Sequence, residues 1–259
     1  MPDSLSFDGV DLSVYGVTVV DGPIQFLSKP RLSTAQRSRE HGAIVRGSFL
    51  EPRVLSVPVV VKGQDFADLL TNWQTLRSLL HPNKGEKRIV LDYQSDRFYV
   101  GRLQEGLSAA PAGGQRAVGT NLQFFCPDPT TYDVTQRTQN TSSTALSFTP
   151  DGNEETPCIV TGVNGNASAA ASIEVVHQPS GSAFKTTYPL AANERIRLDG
   201  EREIAEVSHD GVTWATIMKS VDNYAHEFPR LTPAVLNTFT LTGLAGTYCW
   251  TVTYYDRYL

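Results

Sequence analysis

Five Asp-Gly dipeptides, at Asp8-Gly9, Asp21-Gly22, Asp151-Gly152, Asp199-Gly200 and Asp210-Gly211, punctuate the chain. Asp-Gly tolerates the positive φ values of tight reversals better than most pairs. Short β-prone runs flank most of these sites, so the chain must turn back on itself repeatedly, and strands joined as hairpins satisfy that demand. In EIAEVSHDGVTWATI, residues 203–208 and 212–217 read as two strands turning about His209, Asp210 and Gly211. Near the end, Tyr248, Trp250, Val252 and Tyr254 alternate with Cys249, Thr251 and Thr253. That period predicts a half-buried strand running almost to Leu259 and covering a sheet edge.

Only one segment has a helical period. In GQDFADLLTNWQTLRSLLHP the apolar residues Phe66, Leu69, Leu70, Trp73, Leu76 and Leu80 recur at three- and four-residue spacing. Asp65 suits the N-cap and Pro82 the stop. Before it, VLSVPVVVKG reads as a strand whose Pro58 lacks a ladder donor and so favours an edge. After it, KRIVLDYQSDRFYVGRL reads as a hairpin turning near Ser95 and Asp96.

The stretch TTYDVTQRTQNTSSTALSFTPDGNEETP is rich in Thr, Ser, Asn and Gln, which suits a linker or a solvated crossover strand. A boundary is therefore expected between Asp133 and Pro157, giving domains over residues 1–135 and 136–259. Beyond it PCIVTGV, ASIEVVH, the hairpin above, NTFTLTG and the terminal strand follow at sandwich spacing. The expected fold is mainly β: an N-terminal β-rich domain with one amphipathic helix, then an antiparallel β-sandwich.

Composition excludes several classes. A net charge of -5 and a pI near 5.5 argue against a general nucleic-acid binder. The apolar run near VLSVPVVV is too short to cross a bilayer, so no membrane insertion is expected. The start, MPDSLSFDGVDL, lacks the basic and apolar blocks of a secretory signal, which predicts a protein made and kept in the cytosol or assembled there into something larger. Cys126, Cys158 and Cys249 are odd in number and widely spaced, and are expected to be buried free thiols.

A search for chemistry finds no nucleophile elbow, zinc helix, phosphate loop or dinucleotide fingerprint. His41, His81, His177, His209 and His226 share no ligand spacing and read as surface or structural residues. Asp151, Asn153, Glu154 and Glu155 miss the calcium-loop template and read as a solvated linker. Glu201, Glu203 and Glu206 would serve sugar hydrolysis only at a set carboxylate separation, and read as exposed hairpin charges. Trp214, Tyr224, Phe228 and Trp250 could stack on a sugar, but core packing is the expectation. No enzyme, cofactor or metal site is expected.

One segment resists this. RLSTAQRSREHGAIVRGSFLEPR, residues 31–53, holds five arginines against two glutamates in an acidic chain. It reads as an extended arm, either a solvated loop or an arm laid on a neighbouring subunit through arginine forks to carboxylates. Arg37, Arg39, Arg46 and Phe49 are the candidate inter-subunit residues.

The order of features has a counterpart. SLSFDGVDLSVYGV, the arm with HGAIVRGSF, VPVVVKG before a single helix, and IVLDYQSDRFYVGRL after it resemble the N-terminal belt domain of distal tail proteins from long-tailed siphophages. PCIVTGV, PLAANERIRLDG, FPRLTPAVLNTFTLTG and YYDRYL are similar to that family's galectin-like C-terminal sandwich, so the resemblance spans nearly the whole chain. It implies a virion structural protein at the tail tip: a hexameric ring that continues the tube's DNA channel without binding DNA specifically. Its implied partners are the tail tube protein, a tail-associated tip protein and a receptor-binding protein. The alternative is a carbohydrate-binding adhesion module, although HEFPR, residues 226–230, does not match the galectin sugar-site spacing. One departure stands out: family members often carry glycine before the last hairpin's Asn-Thr pair, where this chain has Ala234-Val235-Leu236 before Asn237.

Overall fold

The computed structural model describes residues 4–20, 28–36, 43–105, 110–111, 116–243 and 250–259, with backbone alone at 36, 43, 44, 110, 111 and 223–226. The chain divides into two compact units, Met1–Val134 with Leu259, and Thr135–Tyr258.

The first unit runs β1 (Leu5–Phe7), β2 (Val10–Asp11), β3 (Val17–Val19), β4 (Pro30–Gln36), β5 (Ala43–Leu50), β6 (Arg53–Lys62), α1 (Phe66–Leu79), β7 (Lys87–Leu91), β8 (Arg97–Leu103), β9 (Ala110–Pro111), β10 (Ala117–Cys126) and β11 (Thr131–Asp133). Its main sheet is antiparallel in the order β2-β1-β7-β8-β10-β6-β3. Asp8 and Gly9 take φ of 54° and 79° in a two-residue turn, which pairs Phe7 with Val10 as the dipeptide predicts. β7 and β8 pair as the expected hairpin, and the chain turns through a 3-10 segment over Asp92–Gln94 and then Ser95 and Asp96, where the turn was expected.

β6 is not a simple edge strand. It pairs with β10 along its length and with β3 over Val59–Val61. The Val20 N–H donates to the Pro58 carbonyl at 3.0 Å, but Pro58 has no N–H to return, and β3 stops there. Proline is tolerated inside the sheet because its nitrogen faces the point where the neighbour ends. Every second residue from Arg53 to Val61 faces the core, and Leu55, Val57, Val59 and Val61 are buried.

α1 forms where its period predicts. The Asp65 carboxylate accepts from the Asp68 N–H at 2.8 Å, and Asp68 accepts from the Gln64 N–H at 2.7 Å, which caps the first turn reciprocally. Leu69, Leu76 and Leu80 are buried, but Phe66 and Leu70 are 54% and 45% exposed. The expected stripe is wider than the line that packs against β6 and the 3-10 turn Leu12–Tyr15. Two large apolar side chains therefore stay on the surface.

The second unit runs β12 (Arg137–Thr141), β13 (Ala145–Phe148), β14 (Thr156–Pro157), β15 (Ile159–Val163), β16 (Ile173–Gln178), β17 (Ala183–Thr186), β18 (Arg195–Asp199), β19 (Ile204–Ser208), β20 (Ala215–Thr216), β21 (Val221–His226), β22 (Arg230–Leu231), β23 (Asn237–Thr242) and β24 (Trp250–Tyr254). Two antiparallel sheets, β12-β24-β15-β18-β19-β20 and β13-β23-β16-β17-β21, share one core. Val160, Ile196, Trp250 and Val252 come from the first, and Val175, Phe184, Phe239 and Leu241 from the second. The polar stretch expected as a linker or crossover supplies β12 to one sheet and β13 to the other.

The terminal strand also differs from expectation. β24 lies between β12 and β15 rather than at an edge, and Trp250 is fully buried with its indole N–H donating to the Ser143 carbonyl at 2.8 Å. The hairpin about Asp210 exists, but its second strand shortens to Ala215–Thr216. Asp210 accepts from the Val212 and Thr213 N–H groups, each at 2.8 Å, which holds residues 210–213 in a loop. These bonds keep the Asp210 carboxyl well below the usual carboxylate range.

Candidate functional site

In the first unit, β4 and β5 form a two-stranded arm that pairs with no other strand among the described residues. Arg31 lies opposite Phe49, and Ser33 opposite Gly47, but Thr34 then lies opposite Val45. Arg46 is therefore the extra residue of a bulge, with no cross-strand partner, and bulges re-aim side chains away from the ladder. Arg46 is exposed, and Leu32, Val45 and Phe49 are 56%, 58% and 65% exposed. Arg31, Leu32, Phe49, Leu50 and Pro52 line a groove along the arm. Of the sequence candidates, Arg46 and Phe49 share this hairpin, while Arg37 and Arg39 lie outside the described residues.

The arm's base is fixed. The Glu51 N–H donates to the Lys29 carbonyl at 2.9 Å. Arg53, first residue of β6, is only 3% exposed; its Nε donates to Ser28 Oγ at 3.2 Å and its guanidinium sits 5.4 Å from the Tyr99 ring centroid. The fifth arginine of the basic stretch is thus a core anchor and not part of the arm's surface. Residue-type counting alone does not separate the two roles; the period of β6 does.

In the second unit, Glu206 and Trp214 depart from expectation. Glu206 is buried, and accepts from Arg197 Nε at 3.0 Å across β18 and β19. The Arg197 guanidinium also lies 4.2 Å from the Trp214 ring centroid. By strand alternation this group stands on the outer face, so Trp214 is not a core residue. Glu203 instead pairs with Arg230 at 3.3 Å at the surface, so Glu203 and Glu206 engage different arginines. Trp250 is in the core, Phe228 is half-buried against Phe184, and the Tyr224 side chain lies outside the described residues.

The acidic loop 151–155 is organised from within. Asp256, fully buried, accepts from the Asp151 and Gly152 N–H groups at 3.0 and 3.1 Å and lies 3.5 Å from Arg137. No cluster with metal-ligand geometry occurs among the described residues.

The histidines are structural where they are described. His81 caps a 3-10 turn, and His209 is exposed at 3.3 Å from Glu194. His177 is fully buried, with its pKa lowered by desolvation. The Asn237 amide donates to the Thr232 and Val235 carbonyls, which leaves its Oδ1 to accept from His177 Nε2 at 2.8 Å. His177 Nδ1 then accepts from Ser180 Oγ at 2.8 Å. Ala234 takes φ of 55°, and Asn237 closes the turn behind it. His41 and the His226 side chain lie outside the described residues. Cys126 and Cys158 are buried free thiols as expected, and burial pushes the Cys126 pKa up to about 12; Cys249 lies outside the described residues.

Comparison with known proteins gives a consistent result. The family model of the phage tail protein RIFT-related domain matches residues 10–126. No curated protein matches. Among solved structures, the chain is similar to the Dit protein of phage SPP1, described as a paradigm of the hub adsorption apparatus of phages infecting Gram-positive bacteria. The identity is 19%, the TM-score 0.78, and 100% of each chain is covered. It is also similar to a chain of the phage P2 baseplate in its activated conformation with calcium, at 9% identity, TM-score 0.62 and 98% coverage of each chain.

Proposed function

We propose that this chain, which carries a phage tail RIFT-related domain over residues 10–126 and takes the fold of a distal tail hub protein along its whole length, is a structural protein of a virion tail tip. In this role it forms a ring, hexameric by the family's pattern, through its first unit. The ring joins the tail tube protein to the tip proteins, encloses a DNA channel and carries receptor-binding or tip proteins on its second unit. The observation that carries the reading is the fold agreement over the full length of both chains, together with an arm that bears exposed apolar and cationic side chains and joins no further strand among the described residues. The acidic balance is suited to a channel that must release DNA, since tight phosphate neutralisation would retain it. No helix among the described residues is long and apolar enough to cross a membrane.

The test is the mass of the purified protein in solution, with negative-stain imaging of the same sample. A closed ring with a central hole is the expected result, and a strictly monomeric particle at micromolar concentration refutes self-assembly. Replacing Arg46 by Glu and Phe49 by Ala is expected to dissociate the ring while leaving each subunit's melting within about 1 °C, because both side chains are solvent-facing in the isolated subunit.

A second reading, a carbohydrate-binding module, is favoured by the outer-face group Arg197, Glu206 and Trp214. It sets a half-exposed indole beside fixed polar groups, the elements that sugar recognition needs. Binding on a glycan array that Trp214→Ala abolishes would establish it, and silence across the array removes it.

A further inference from the structure

We propose that Ser180, His177 and Asn237 form a nucleophilic relay that opens into a pocket of the second unit and cleaves small carboxylic esters by acyl transfer to Ser180. This activity is separate from the virion role above and does not depend on it.

The relay is built on the hairpin between β16 and β17 and on the first residue of β23. Gly181, at φ of 74°, closes the hairpin with its N–H on the His177 carbonyl at 2.9 Å. That turn brings Ser180 Oγ within 2.8 Å of His177 Nδ1, and His177 Nε2 lies 2.8 Å from Asn237 Oδ1. The tautomer is fixed from the far end. The Thr232 N–H donates to Asn237 Oδ1 at 2.8 Å, so that atom is the amide oxygen, Nε2 carries the imidazole proton, and Nδ1 is left bare toward the serine hydroxyl. Desolvation lowers the His177 pKa and keeps the ring neutral, and packing against Phe239, at 4.7 Å between ring centroids, holds its orientation. Because Ser180 Oγ donates to Nδ1, the Ser182 N–H at 3.1 Å and the Ser182 hydroxyl at 2.8 Å both donate to Ser180 Oγ. Those two donors stabilise the oxygen as it loses its proton.

His177 and Asn237 are fully buried, whereas Ser180 is exposed and lines a pocket of about 520 Å³. Met218 and Phe228 give that pocket apolar surface, and Glu155, Glu203 and Glu227 outnumber Arg230 in its lining, which disfavours anionic substrates and leaves neutral or cationic esters. Arg230 meets Glu203 through Nη2 at 3.3 Å, and a guanidinium has further N–H donors to offer a developing carbonyl oxyanion. As the bond from Ser180 Oγ to the acyl carbon forms, the hydroxyl proton passes to Nδ1, and the imidazolium returns it to the departing alkoxide. Water then attacks the acyl carbon, Nδ1 takes its proton, and Ser180 Oγ leaves with that proton, so ester and water become acid and alcohol. An amide oxygen beside Nε2 stabilises the imidazolium less than a carboxylate would, which limits the class to esters, whose leaving groups depart more readily than those of amides.

The test treats the purified full chain with a fluorophosphonate probe and maps the modified serine by peptide mass. Ser180 is expected to label at least tenfold faster than any other serine, and to lose that advantage in denaturant. Labelling of Ser180 no faster than in the unfolded chain overturns the proposal. With p-nitrophenyl acetate as substrate, Ser180→Ala, at an exposed position, is expected to lower hydrolysis at least tenfold with unchanged melting; hydrolysis within twofold of the native protein overturns it. His177→Ala is expected to abolish Ser180 labelling and to recover part of it when imidazole is added, a rescue that a purely structural histidine would not give. Undiminished labelling in this variant removes His177 as the base and overturns the relay. Each of these results leaves the ring reading untouched, since none depends on assembly.

Discussion

Replacing Asn237 by aspartate tests the turn that Ala234 and Asn237 form. Asn237 is fully buried, donates to the Thr232 and Val235 carbonyls at 2.9 and 2.8 Å, and accepts from the Thr232 N–H and from His177 Nε2, each at 2.8 Å. Aspartate keeps both accepting contacts but turns an anionic oxygen toward the carbonyls of partly buried Thr232 and exposed Val235, which lose their donor. An orphaned acceptor costs about 1–3 kcal/mol when buried and less where water reaches it, so the expected loss at pH 7.5 is about 1–4 kcal/mol. For a unit of this size that lowers the calorimetric midpoint by roughly 5–20 °C. The loss also depends on pH. Burial lowers the His177 pKa, so as pH falls the unfolded chain takes up this proton before the folded one does. In the native sequence the stability from a neutral His177 is present above its ordinary pKa of 6.5 and is lost as the pH falls from there toward the lowered folded value. In the variant, a carboxylate opposite Nε2 favours the imidazolium and offsets that loss. The gap between the two proteins should therefore narrow between pH 7.5 and 5.5, read by calorimetry across that range. A midpoint within 2 °C of the native protein at pH 7.5, or a gap that widens on acidification, refutes the assigned tautomer and network.

Other outcomes follow from local geometry. Ala234→Gly should raise the second unit's midpoint by a few degrees, because relief of about 1–2 kcal/mol of left-handed backbone strain exceeds the added entropy of the unfolded glycine. Gly16→Ala should destabilise the first unit by more than about 3 kcal/mol in denaturant titration, since φ there is 71° and a Cβ would lie 2.0 Å from the Lys62 carbonyl oxygen. Cys126 and Cys158 should resist alkylation by iodoacetamide at pH 8 in the folded protein and react on unfolding, as mapped by peptide mass, because both thiols are buried with raised pKa values.

Local rules were enough wherever a short-range signal and the tertiary environment agreed. Asp8-Gly9 turned as its φ preference requires, Asp65 capped α1, and Trp250 faced the sandwich core in step with Val252 and Tyr254. The sequence period failed to decide how much of an apolar stripe finds a partner. Phe66 and Leu70 belong to the same pattern as Leu69 and Leu76, yet only the latter pair meets β6 and the turn below. Trp214 and Glu206 show the converse: side-chain type suggests core and surface, whereas Asp210 shortens β20 and leaves Trp214 beside Arg197 on the outer face. Arg46 and Phe49 were legible as arm residues from charge excess, but the bulge that projects Arg46 is a register shift that depends on a specific cross-strand pairing.

The sequence by itself determined the β-rich class, the single helix, the principal turns and the absence of recognisable catalytic motifs, because φ preferences, capping and hydrophobic period act over a few residues. Tertiary structure alone decided which residues lie together: that β24 is flanked on both sides, that Arg53 anchors while Arg46 projects, that Asn237 meets His177, and that Phe66 and Leu70 stay exposed. Those outcomes depend on which strand arrives beside which, and the free energy that selects it comes from burial and hydrogen bonding between segments distant in the chain.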